Sequence, residues 1–480
     1  MRVRMSFKQR MHCGFIVPLL RNSPFYRKFA KILHTKTKEL KNSKTHLSTP
    51  LLYGRGKGVG PFFMLNRITL DNGLRVVHQQ DVTTQMVCVN TLYKIGSRNE
   101  DPNHTGFAHL FEHLMFGGTP RVPDFDLVLQ DGCGENNAFT TEDITNYYIT
   151  LPASNLELAL FLEADRMRGL AFTPRSLQVQ RRVVMEEFRM SCLNQPYGDA
   201  SHLLYRWCFP KDHPYSWPTI GKQLNHIKNA TMEQVKAFFR SYYRPDNAIV
   251  SVVGNVEWEE VLRLIKKVKF PNRRSGAVPE LHLPIDADGL HIPGFMGGKI
   301  KTYYRDVPSD LLLMAFRIPS RSDDRFQACD MLSDVLANGR SSRLYARLVE
   351  QEKVVDEVDA YVDGRLGTGL LFLELVLADG ADIRKVEEMV WQELQSLCRE
   401  PLSDKELQKV KNKYETNTHI LLSDYQQRAE QLAYFEMLGD ANRLYDDLPR
   451  YLAVTSSELQ QVAKQVLTRE GSTTIRYMAK

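Results

Sequence analysis

The chain repeats itself, and an internal repeat limits the architecture before any single element is assigned. Ile95-Gly96-Ser97-Arg98-Asn99-Glu100-Asp101 aligns with Ile318-Pro319-Ser320-Arg321-Ser322-Asp323-Asp324, and after a two-residue gap His109 to Gly118 aligns with Asp330 to Gly339. Towards the end of each half, Thr231-Met232-Glu233-Gln234 and Thr455-Ser456-Ser457-Glu458 are S/T-x-x-E/Q capping boxes, each opening an amphipathic helix. Val235 and Phe239 answer Leu459 and Ala463, and strand-like runs, Ala248 to Val253 and Ser472 to Met478, close the two halves. Between them, residues 271–298 hold Pro271, Pro279, Pro284 and Pro293 with five glycines, the composition of a linker. The predicted fold is α+β: two homologous modules, 64–270 and 299–480, each a mainly antiparallel sheet covered by helices and joined by the linker.

Local signals agree. Arg67-Ile68-Thr69-Leu70 and Leu74-Arg75-Val76-Val77 flank Asp71-Asn72-Gly73, alternating runs around an Asn-Gly turn, which predicts a hairpin. A third extended run, Met86 to Tyr93, precedes a loop from Gly96 to Gly106 and a helix opening near Phe107. Hydrophobic residues make up 43% of the 480 and charged ones 25%, ordinary globular composition with no apolar run long enough to span a membrane. Seven scattered cysteines without a C-x-x-C pair point to neither a disulfide framework nor a cysteine zinc site. The net charge of +6 belongs to a tail: residues 1–60 carry 14 of the 63 basic side chains and one of the 57 acids, so the remainder is acidic. Residues 1–63 read as a basic, disordered leader before the in-frame Met64. The apolar run at Cys13 to Leu20 is broken by Pro18, against a secretory signal, and a mitochondrial transit peptide fits better. The expected compartment is the cytoplasm, with the mitochondrial matrix as the alternative. No aromatic interleaving supports nucleic-acid binding by the tail.

The chemistry lies in the first half. His109-Leu110-Phe111-Glu112-His113 is an H-x-x-E-H motif, the inverted form of the H-E-x-x-H zinc signature. Histidines at i and i+4 project from one helix face and can reach a single zinc ion, while Glu112 can face the open coordination position and take the proton of a zinc-polarised water. Phe107, Leu110, Phe111, Leu114, Met115 and Phe116 make the rest of the helix apolar, so the polar trio belongs to a mostly buried element. A third ligand of carboxylate type is expected from another element. Glu186 and Glu187, following the amphipathic segment Leu177 to Val184, are both eligible, and periodicity does not choose between them.

From about Arg67 onward the sequence resembles the pitrilysin family of zinc metallopeptidases, which includes insulysin and the mitochondrial processing peptidase. The resemblance rests on TGFAHLFEHLMFGGT (Thr105 to Thr119), GENNAFTTEDITNYY (Gly134 to Tyr148) and VQRRVVMEE (Val179 to Glu187). It implies one zinc ion per chain held by His109, His113 and Glu187, with Glu112 as base and Glu186 as a solvated or outer neighbour. It also implies that Asn137 and Ala138, on an edge strand, hold substrate backbone by strand addition, with side-chain preference set near Phe139. Phe139 and Tyr147-Tyr148 equally fit sheet core. Where the family has a second carboxylate seven residues before the third ligand, this chain has Gln180.

The second half has Asp330, Ser333 and Asp334 in place of His109, Glu112 and His113, and so forms no zinc site of this kind; the two Asp read as a solvated face or cap. Active family members also place an Arg and a Tyr, seven residues apart, opposite the zinc; the matching stretch here offers Val349 and Asp356, with Arg343, Tyr345 and Arg347 at the wrong spacing. Neither Val349 nor Asp356 donates a hydrogen bond to an oxyanion at neutral pH. The expected protein is therefore a zinc endopeptidase of unfolded peptides or small proteins working as a half-clamshell beside a homologous subunit, a heterodimer first and a homodimer second. A non-catalytic subunit of the same fold is the alternative.

Overall fold

The computed structural model describes residues 64–480 except 282, 284–288, 293, 294 and 296. The leader expected at 1–63 and parts of the linker expected at 271–298 lie outside the described residues.

Apolar and polar alternation builds the first sheet. β1 (Leu65–Thr69) and β2 (Arg75–Gln80) are the predicted hairpin, with Arg67 opposite Val77, and Gly73 turns it at φ +86°, a conformation that suits glycine. β3 (Met86–Tyr93), β4 (Glu135–Thr140), β5 (Thr145–Pro152) and β6 (Ala248–Gly254) complete the order β1-β2-β6-β3-β5-β4, antiparallel except between β2 and β6. β4 thus lies at an edge. In the second half β7 (Lys299–Arg305), β8 (Leu311–Ile318), β9 (Val355–Asp363), β10 (Gly369–Leu377) and β11 (Ser472–Ala479) form the order β7-β11-β8-β10-β9, parallel only between β7 and β11. This order reproduces β2-β6-β3-β5-β4, so the repeat seen in the sequence is a repeat of topology. The predicted α+β class holds.

The first half carries helices α1 (Phe107–Leu114), α2 (Phe125–Asp131), α3 (Leu156–Arg168), α4 (Pro174–Phe188), α5 (Ala200–Cys208), α6 (Leu224–Lys228), α7 (Met232–Tyr242) and α8 (Trp258–Val268). The second carries α9 (Phe326–Ala337), α10 (Ile383–Arg399), α11 (Asp404–Ser423), α12 (Tyr425–Met437), α13 (Arg443–Ala453) and α14 (Ser456–Val466). Both expected capping boxes form, Thr231 with Gln234 and Thr455 with Glu458. One core packs α1, α3, α4, α7 and α8 on the inner face of the first sheet, and a second packs α9, α10, α13 and α14 on the inner face of the other.

The outer faces are covered by exchange. Leu204, Tyr205 and Cys208 of α5 pack on Leu311, Leu313 and Phe372 of the second sheet, while Ala429, Leu432 and Ala433 of α12 pack on Val77, Cys88, Ile249 and Val253 of the first. Each half lends a helix to the other. A polar border accompanies the α12 contact, with Arg75 donating to the Glu436 carbonyl at 2.8 Å and Arg428 paired with Asp81.

Candidate metal centre

Two helices bring the site together. α1 begins at Gly106, in the left-handed region at φ +89°, and a buried carboxylate takes its first amides: Glu100 Oε2 accepts the Gly106 N–H at 2.8 Å and Glu100 Oε1 the Ala108 N–H at 2.8 Å. Trp217 Nε1 donates to Glu100 Oε2 at 3.1 Å. Burial pushes Glu100 up to about 8, against the pull of these donors. Phe107, Leu110, Phe111 and Leu114 anchor the other face of α1 in the core, which leaves His109, Glu112 and His113 on the face towards α4. α4 starts with Thr173 accepting the Ser176 N–H at 3.0 Å and Pro174 at its first position, and buries Leu177, Val184 and Phe188. The choice between Glu186 and Glu187 follows from about 100° of rotation per residue. Glu187 turns to α1 with its side chain 14% exposed, and Glu186 turns to solvent, 58% exposed and paired with Arg189 at 3.1 Å.

Three ligand atoms converge. His113 Nε2 lies 3.4 Å from His109 Nε2, and Glu187 Oε2 lies 3.2 Å from the first and 3.6 Å from the second. Donors about 2.0–2.1 Å from one tetrahedral zinc stand about 3.3 Å apart, so the spacing fits the ion without rearrangement. Glu187 Oε2 is buried without a hydrogen-bond partner among the described residues, a cost that a cation removes. Among these residues His109, His113 and Glu187 are the one such group within ligand reach of each other. Burial lowers the pKa of His109; it also opposes charge on His113, where contact with Glu187 and the field of Glu112 outweigh it and raise the pKa.

Glu112 is tied from the edge strand: Thr140 Oγ1 donates to Glu112 Oε2 at 2.6 Å. Thr140 was legible as strand but not as a partner of Glu112, because 28 residues separate them. The other expected residues divide by the pleat. Ala138 packs on the same core as α1, whereas Phe139 points away from the histidines into the layer under α12, among Tyr148 and Leu432. Asn137 Oδ1 accepts the Ala138 N–H at 2.9 Å. Gln180 lies within α4 and is half-buried.

The second half differs from expectation at one point. Asp330 and Asp334 are not a solvated face: Asp330 accepts from Tyr451 at 2.7 Å, Asp334 pairs with Lys413 of α11 at 2.6 Å, and Asp334 is buried. Arg343 and Arg347 pair with Glu406 and Glu393, Val349 packs on the second core, and Asp356 is exposed at the start of β9.

Residues 75–198 match the family described as insulinase (peptidase family M16), and residues 229–414 match the peptidase M16 inactive domain. The zinc protease PqqE of Helicobacter pylori is 30% identical over 417 residues, covering 85% of this chain and 91% of that protein. The chain belongs to the M16 peptidase family. An uncharacterized zinc protease of Bacillus subtilis, YmxG, shares 24% identity over 85% of this M16 chain and 97% of its own length. Among solved structures, a protease from Helicobacter pylori superposes with a TM-score of 0.80 at 27% identity, covering 86% of this chain and 99% of that one. Pitrilysin superposes with a TM-score of 0.67 at 18% identity, over 86% of this chain but 45% of pitrilysin, a likeness of fold to half of a larger molecule.

Proposed function

We propose that this M16 chain is a zinc-dependent endopeptidase of unfolded peptides, with residues 64–270 as its catalytic domain and one zinc ion held by His109, His113 and Glu187. The observation that carries the proposal is the convergence of those three donor atoms at 3.2–3.6 Å beside Glu112. Zinc, when bound, supplies a Lewis acid that polarises a peptide carbonyl and acidifies water. The protein's own part is then clear. Glu112 accepts and returns a proton, Thr140 holds its carboxylate, and the β4 edge at Asn137 and Ala138 takes an extended peptide as an added strand. Backbone pairing reads little sequence, so chain flexibility governs which substrates enter.

Cleavage of an unstructured, internally quenched peptide tests this. Glu112→Gln is expected to keep its zinc and lose about 10²–10⁴-fold in rate; equal rates in both proteins would remove Glu112 from the reaction.

A second reading, a non-catalytic subunit, is favoured by Val349 and Asp356, which occupy the positions where active relatives carry an Arg and a Tyr. We propose a homologous partner subunit that brings both, a heterodimer first and a homodimer second. Zinc-loaded chain that is silent alone and active after a homologous subunit is added would support the partner; silence in every pairing would favour the non-catalytic reading. The six described cysteines are unpaired, which supports a reducing compartment, the cytoplasm first and the mitochondrial matrix second. No helix among the described residues is long and apolar enough to cross a membrane.

A further inference from the structure

We infer that the second half of the chain positions the site of the first: Arg365, in the β9–β10 hairpin, clamps the β4–β5 turn and thereby keeps Thr140 on Glu112 and Glu100 on the N-terminus of α1. The inference rests on the peptidase reading and deepens it.

The β4–β5 and β9–β10 hairpins are counterparts in the repeat, and their tips meet. Arg365 has a side chain 1% exposed; it donates to Asp363 at 2.6 and 2.9 Å and to Glu142 at 3.3 Å, and its guanidinium lies over the rings of Tyr205 and Tyr215, 4.9 and 4.7 Å from their centres. Its neighbour Leu366 donates its N–H to Asp143 Oδ2 at 2.8 Å, and Asp143 Oδ1 accepts from the Tyr215 hydroxyl at 2.7 Å and pairs with Arg98 at 3.2 Å. The Gly367 N–H donates to the same Tyr215 hydroxyl at 3.1 Å. Glu142 and Asp143, both buried in the first half, thus have their charged partner or backbone donor in the second. A buried carboxylate whose guanidinium is removed has no solvent to replace it, so the turn depends on that hairpin.

Two short paths lead from the turn to Glu112 and to the N-terminus of α1. Along the strand, Thr140 is two residues before Glu142 and donates to Glu112. Across the loop, the Thr141 carbonyl accepts the Ser97 N–H at 3.2 Å and the Glu142 carbonyl accepts the Arg98 N–H at 3.0 Å; Trp217 Nε1 joins the Ser97 carbonyl to Glu100, whose carboxylate holds the amides of Gly106 and Ala108. There is no slack in this contact, since a Cβ at Gly96 would lie 2.3 Å from the Glu142 carbonyl oxygen. Helix α1 and strand β4, the two elements that flank Glu112, are therefore set by one turn, and that turn is held from the other half. Thr140, Asp143 and Arg365 are positioning residues.

The test compares Thr140→Val, Thr140→Ser, Arg365→Lys and the double Arg365→Lys/Thr140→Val in the zinc-loaded full chain, with any homologous subunit that activity requires. Thr140→Val is expected to lower kcat about 10- to 100-fold with KM within about twofold, Thr140→Ser to restore it, and Arg365→Lys to lower kcat about 10-fold. The double variant should lose less than the product of the two single losses, because the route through Thr140 is shared while the one through Glu100 is not. Losses that multiply would overturn the route through Thr140. Asp143→Asn, read the same way, replaces Arg365→Lys should that variant not fold. Amide hydrogen exchange supplies a readout apart from activity: Arg365→Lys should lose protection at Ser97, Arg98, Gly106 and Ala108 while the second sheet keeps it. Unchanged protection at those four amides, or loss spread evenly through both sheets, would overturn the clamp whatever the activity. An unmodified chain that never cleaves would overturn the peptidase reading and leave the exchange result to decide the clamp.

Discussion

At Glu187 a single residue of register separates the carboxylate proposed to hold the metal from a solvated side chain. Helical periodicity offered Glu186 and Glu187 on equal terms, because it marks a face and both border it, and the family resemblance alone favoured Glu187. The structure separates them through Leu177, Val184 and Phe188, whose burial fixes the rotation of α4. Glu187→Gln is accordingly expected to weaken zinc binding by more than about 100-fold, while Glu186→Gln, which loses an exposed pair with Arg189, should change stability by less than about 0.5 kcal/mol and leave metal affinity unaltered; chelator competition and thermal melts check both. Proton linkage gives a second expectation. His113 without metal has its pKa raised, chiefly against burial, by Glu187 and Glu112, and zinc requires the neutral ring, so zinc must displace a proton. Apparent affinity should therefore fall on acidification, with the onset above the ordinary histidine range because the His113 pKa is raised, and approach about tenfold per unit at the acid end. A flat profile would mean that His113 is neutral throughout. The H-x-x-E-H motif was legible because His109, Glu112 and His113 are close in sequence. Thr140, Glu100 and Arg365 were not legible as partners, because each contact joins residues distant along the chain or in different elements.

At the scale of the element, the sequence signals that held were those with a local physical cause. The Asn-Gly hairpin, the β3 run and both capping boxes appear where expected, since turn chemistry and caps act within a few residues. The Asp330 and Asp334 pair went the other way. Its fate depends on Lys413 and Tyr451, which the topology delivers from α11 and α13, so an ammonium pairs with Asp334 and a hydroxyl donates to Asp330 on the face that in the first half carries the proposed metal ligands. Helix α1 shows the reverse economy, with its N-terminus built from a left-handed glycine and a distant carboxylate rather than a Ser or Thr cap. A methyl group at Gly106 would meet Ile227 Cδ1 at 2.6 Å and the Ile220 carbonyl oxygen at 2.9 Å, at a φ of +89°. Gly106→Ala should destabilise the metal-free protein by about 1–3 kcal/mol and weaken zinc binding, as the His109 and His113 turns shift against α4. Calorimetry with and without zinc measures both. A loss below about 0.5 kcal/mol would show that the first turn relaxes freely.

Across the whole molecule, the repeat suggested two modules in series, but the helices that cover the outer faces are exchanged between them. Without α12 the first sheet would expose Val77, Cys88, Ile249 and Val253, and without α5 the second would expose Leu313, Phe372 and Ile475. Exposed patches of that kind are incompatible with a stable half, so folding of either sheet requires the chain of the other. The expectation is one cooperative transition. Trp258, packed beside His78 of β2, and Trp391, packed on Phe316 of β8, report on the two halves and should show coincident denaturant midpoints when each is retained as the sole tryptophan. Leu432→Ala, which opens a cavity beneath α12 and touches nothing in the second core, should cost about 2–5 kcal/mol and shift both midpoints together. A shift confined to Trp258 would mean that the second half stands alone, and Arg365 would then act from a separable domain rather than from within a single folding unit.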